Sequence, residues 1–74
     1  MKNIYRICIS SPPDRRGLVA EIFFGEIQWA EINQEKKNLQ IEFYPHPNNQ
    51  PWVIEFDIAL NALCDAKLML NEKG

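Results

Sequence analysis

LVAEIFFGEIQWAEINQ, Leu18 to Gln34, is the stretch that decides the fold. Apolar residues alternate with others on both sides of Gly25-Glu26, which is the period-2 pattern of half-buried strands. The glycine supplies the positive φ that a tight hairpin turn needs. In the first strand Leu18, Ala20, Ile22 and Phe24 form one row, and Val19, Glu21 and Phe23 the other. Ile27 to Gln34 is the returning strand, and its register has two solutions. A two-residue turn pairs Ile22 with Trp29, whereas a three-residue turn pairs Phe23 with Trp29 and Ile22 with Ala30. The second is preferred because it gathers Ala20, Ile22, Ala30 and Ile32 on one face. It also sets Glu21 opposite Glu31, a like-charge pair that a cationic partner would relieve. A slip of one residue exchanges the faces.

Working outward, Ile4 to Ser10 reads as a strand with Tyr5, Ile7 and Ile9 on one side. Pro12-Pro13 ends it by removing ladder donors, and Arg15-Arg16-Gly17 completes a loop. Leu39 to Tyr44 is a further strand, with Leu39, Ile41 and Phe43 inward and Gln40, Glu42 and Tyr44 outward. Pro45 to Pro51 is a loop. Trp52 to Phe56 reads as a short fifth strand. Asp57 is placed as the helix N-cap, and Ile58 to about Asn71 as the helix. Ile58, Ala59, Ala62, Leu63, Ala66, Met69 and Leu70 share its apolar arc. Leu60, Cys64 and Leu68 form a second stripe outside that arc, either covered by a loop or used as an interface. Short consecutive connections favour an antiparallel meander. The expected fold is therefore α+β: a four- to five-stranded antiparallel β-meander packed on one C-terminal α-helix, a single domain over residues 1–74.

Seventy-four residues leave room for one small core and little for an internal active-site cavity, which argues against an enzyme. A net charge of −2 with scattered bases argues against direct nucleic-acid binding, because phosphate contacts need clustered Lys and Arg. The chain has no apolar run of membrane-spanning length. Met1-Lys2-Asn3 leads directly into the first strand without the features of a secretory signal, so a cytoplasmic location is expected. Cys8 and Cys64 are read as small buried hydrophobes.

Nothing in the sequence assembles a catalytic or metal motif. His46 is the single histidine and lies between prolines. Cys8, Cys64 and His46 lack the local spacing of a zinc site, and no cofactor is expected. Isolated glycines make no phosphate cradle. What stands out instead is the outward row of the predicted sheet. It combines carboxylates (Glu21, Glu31, Glu42) with large rings (Phe23, Trp29, Tyr44), where a solvated face would be uniformly polar. These six residues are the expected partner-binding set, suited to a basic protein. Trp52 is assigned to the core.

Val19-Ala20-Glu21-Ile22, Gln28-Trp29-Ala30-Glu31-Ile32 and Ile41-Glu42-Phe43-Tyr44-Pro45, with Pro51-Trp52 and the helix positions Ala59, Leu63, Ala66-Lys67 and Leu70, give residues 18–70 a general build. That build resembles the small immunity proteins of bacterial polymorphic toxin and contact-dependent growth inhibition systems. The resemblance implies a cytoplasmic antitoxin that binds one cognate toxin domain, often a basic nuclease, and blocks its active site. The competing expectation is a self-associating structural or adaptor domain without catalytic activity, joined through Leu60, Cys64 and Leu68 or a free sheet edge. Both a monomer and a homodimer are compatible with the sequence.

Overall fold

The computed structural model describes residues 4–73. The reading of Met1-Lys2-Asn3 as a direct lead into the first strand lies outside those residues. Four strands, β1 (Tyr5–Ser10), β2 (Val19–Phe24), β3 (Ile27–Asn33) and β4 (Gln40–Phe43), are followed by one helix, α1 (Phe56–Lys73). The strands form an antiparallel sheet in the order β1-β2-β3-β4, and α1 packs on β1 and β2. The protein is an open α+β meander covered by a single helix.

Both candidate hairpin registers occur, one after the other. At the tip Phe24 pairs with Ile27 and Phe23 with Gln28, across Gly25-Glu26 with Gly25 at φ 63°. A positive φ at the first turn position alone is the signature of a type II′ turn. One step further the register shifts: Ile22 pairs with Ala30, Glu21 with Glu31 and Ala20 with Ile32. Trp29 is the extra residue of a β-bulge, and a bulge re-aims the side chain it carries.

That re-aiming corrects the place expected for Trp29. It is 7% exposed and belongs to the core with Ala20, Ile22, Ala30 and Ile32. Its ring centroid lies 5.2 Å from Phe24 and 5.4 Å from Phe43, two residues of the helix-facing rows. The indole therefore joins the core and leaves the outward row.

The helix sits close because Ala62 and Ala66 meet the sheet, and with Leu70 they are its buried residues. Two departures from the sequence reading occur before it. Residues 51–55 form no strand. Pro51 removes a donor, and the Trp52 indole N–H donates to the Tyr44 carbonyl at 2.9 Å, which ties the segment back by a side chain in place of a ladder. Trp52 is half-buried against Phe24 and His46. The helix then begins two residues earlier than expected, at Phe56. The Ala59 N–H donates to the Glu55 carbonyl at 3.0 Å, so Asp57 lies in the first turn, where its charge favours the helix dipole.

Because α1 covers β1 and β2, strand β4 is inverted with respect to solvent. Leu39, Ile41 and Phe43, expected inside, are 38%, 46% and 59% exposed, while Glu42 between them is half-buried. Leu60 and Leu68 are 46% and 60% exposed, and Cys64 is exposed beside them. Cys64 thus departs from the buried position expected of it, and Cys8 is half-buried.

Replacing Trp29 by alanine removes a buried ring from this core. Such a truncation costs about 3–5 kcal/mol, against a total of roughly 4–11 kcal/mol for a domain of this length. Urea denaturation of Trp29→Ala is expected to show a transition shifted far toward low denaturant or no folded baseline. A near-native midpoint would place the indole outside the core.

Candidate functional site

The sheet face opposite α1 carries a line of three carboxylates. Glu21 of β2 faces Glu31 of β3, which faces Glu42 of β4. Cross-strand neighbours stand about 5 Å apart, so like charges in register repel. The chain itself supplies the cation. Pro12-Pro13 turns the chain after β1, and the Arg15 N–H donates to the Pro12 carbonyl at 3.2 Å. This loop is strapped across the end of β3: Gln34 Nε2 donates to the Leu18 carbonyl at 2.9 Å, and the Arg16 N–H donates to the Glu35 carboxylate. Arg15 is thereby held over the acidic row.

Its guanidinium bridges two carboxylates, with Nε 3.1 Å from Glu31 Oε2 and Nη2 2.9 Å from Glu42 Oε1. Asn33, 1% exposed, uses its amide in the same way. Nδ2 donates to Glu31 Oε2 at 3.0 Å and to Glu42 Oε2 at 3.1 Å. The Tyr44 hydroxyl donates to Glu31 Oε1 at 3.1 Å. Glu31 is only 3% exposed, and these three partners satisfy it, as a buried charge requires. The hydrogen bond to Glu42 and the nearby Glu31 charge hold the Arg15 pKa well above its ordinary value. Burial, then the bond to Glu31, raise that of the Tyr44 phenol.

Beyond the network, Phe23 is half-buried beneath the Arg6 guanidinium, 4.3 Å from the ring centroid. Arg6 also donates from Nη1 to Cys8 Sγ at 3.0 Å. Glu21 makes no ion pair among the described residues, and the Glu42 side chain keeps 42% of its exposure. Five of the six expected residues, Glu21, Phe23, Glu31, Glu42 and Tyr44, lie on this face, and Trp29 does not. The two residues that complete the site, Arg15 and Asn33, were not expected there. Asn33 could have been found as the position two residues beyond Glu31 on the same strand face. Arg15 has no local signal, because it reaches the sheet through a loop.

Other chemistry-bearing residues are accounted for differently. His46 accepts a hydrogen bond on Nδ1 from the Asn48 N–H at 3.1 Å, and its ring packs edge-on against Trp52 at 4.7 Å. No helix among the described residues is long and apolar enough to cross a membrane. No protein-family model, curated protein or solved structure matches the chain.

Two outcomes follow from the network. Arg15→Met leaves Glu31 buried beside Glu42 without its cation, and its urea midpoint is expected to fall. Adding Glu31→Gln in that background is expected to recover part of the loss, since removing both members of a pair costs less than orphaning one. A second substitution that lowers stability further would contradict the coupling. The raised phenol pKa has its own sign. The neutral form stabilises the fold fully below the unfolded value of 10.0, and this contribution is lost as pH rises through the higher folded value. Stability should therefore decline with pH in that window, less steeply in Tyr44→Phe. An identical decline in both proteins would show that Tyr44 does not contribute.

Proposed function

We propose that this chain is an inhibitory binding domain of the immunity type, which covers a toxin domain and occludes its active site. The observation that supports this reading most is the fixed acidic row on an otherwise apolar-rich sheet, with Glu21 unpaired among the described residues and Glu42 half open. Glu42, held by Arg15 and Asn33, loses little conformational freedom on binding, and carboxylates on this face favour fast encounter with a basic partner. Glu21 and Glu42 steer and pair with partner cations. Phe23 and Tyr44 provide contact area. Glu31 is too buried to touch a partner and acts by positioning Arg15 and Tyr44. Extents of 30 × 30 × 20 Å give one face large enough for a standard interface of roughly 800 Å² per partner. The reading assigns the chain no catalytic step, metal or cofactor. A cytoplasmic site of action belongs to the same proposal.

The test is capture of a partner from lysate of the source cell with tagged protein at low and high salt, followed by expression of that partner alone and with this chain. A basic, salt-sensitive partner that arrests growth alone and is silenced by co-expression is expected. Glu21→Lys with Glu42→Lys should weaken the complex at least about tenfold through charge reversal. A captured partner that is harmless alone, or that binds the double variant equally well, would overturn the reading.

A further inference from the structure

The opposite side of the sheet carries a second surface that the acidic face does not explain. Four strands spaced about 4.8 Å apart make a layer wide enough for two helices of about 10 Å diameter. The chain lays one helix there, over β1 and β2. The uncovered half is a groove of ≈ 230 Å³ lined by Ile32, Leu39, Ile41, Leu63, Cys64 and Lys67. Lys67 is its single charge, and a lysine stem can lie along apolar surface with its head in water. The groove thus suits an apolar helix better than a charged partner.

The chain also displays such a helix surface. Leu60, Cys64 and Leu68 recur at every fourth position of α1, and all three are exposed. At 1.5 Å per residue this stripe is about 12 Å long. The strand row Leu39, Ile41, Phe43 extends about 13–14 Å. Two unoccupied apolar rows of equal length, one on a helix and one on a half-covered sheet, are self-complementary. Together they expose roughly 500 Å², taking large side chains at about 200 Å² each. With Phe56, one turn before Leu60 on the same stripe and 77% exposed, and the stem of Lys67 in the groove, this approaches the roughly 800 Å² per partner of a stable interface.

We infer that the occupant of the groove is the helix of a second copy of this chain. In the resulting two-fold dimer, α1 of each protomer fills the uncovered half of its partner's sheet. The stripe of one copy lies on the β4 row of the other, and the reverse contact is identical, as an isologous interface requires. The two helices form a middle layer between two sheets. The acidic faces then point outward on opposite sides, so the dimer stands independently of the inhibitor reading and would make such an inhibitor bivalent.

Sedimentation velocity over a wide concentration range tests this directly. The wild-type chain is expected at twice its 8.7 kDa mass, and Glu21→Lys, on the other face, should leave that mass unchanged. Ile41→Asp and Cys64→Lys, central in the two rows and both at exposed positions, should each be folded by circular dichroism and monomeric. Mixed together they should form a 1:1 heterodimer, because one of its two contacts then pairs the new carboxylate with the new ammonium and the other is native. A monomeric wild type, a dimer that survives Ile41→Asp, or a mixture that stays monomeric would each overturn the inference. A wild-type dimer that captures no toxin would count against the acidic-face reading and leave this inference standing.

Discussion

The bulge at Trp29 is the constraint on which the two faces of this sheet depend. A type II′ turn at Gly25-Glu26 fixes the hairpin tip in one register, and the core needs the other. One extra residue on β3 reconciles them. It also lets two successive residues, Trp29 and Ala30, contribute to the core, so that a large ring and a small side chain fill the same side. Beyond the bulge, Ala20, Ile22, Ala30 and Ile32 align under Ala62 and Ala66. On the opposite face the same register brings Glu21, Glu31 and Glu42 into line. The apolar packing and the electrostatic conflict therefore have one origin.

The conflict is resolved inside the protein. Arg15, Asn33 and Tyr44 neutralise and hydrogen-bond Glu31. A buried ionic group adds little net stability compared with an apolar replacement. Its effect here is geometric: a sheet slipped by one residue would leave Glu31 buried without partners, so the network favours the native register over its neighbours.

Much of the architecture was legible because it is written in local pattern. The alternation in Leu18–Gln34, the turn glycine and the helix arc of Ala62, Ala66 and Leu70 each report a single element and its period. The carboxylate row was legible for the same reason, since its members follow once the register is chosen. What was hidden depends on distant residues. Trp29 changed face through a bulge that balances turn geometry against packing. Arg15 reached Glu31 from a loop sixteen positions earlier. The exposure of Ile41 and Phe43 follows from where the helix lies across the sheet, which no period in β4 encodes. The alternation Trp52, Ile54, Phe56 suggested a strand, but an indole-to-carbonyl bond and a helix starting at Phe56 took its place.

The sheet also ends in two unpaired strands of unequal length. β1 has six residues and β4 has four. Exposed strand edges can recruit further chains and seed fibrous aggregates, and short or charged edges blunt that hazard. Here the shorter edge is the one whose apolar side chains, Ile41 and Phe43, are exposed, and Glu42 lies between them. Lengthening β4 by a residue or two would remove one safeguard and neutralising Glu42 the other, which makes the polar segment Glu35–Asn38 before it and the proline-rich segment after it guardians of solubility as much as connectors.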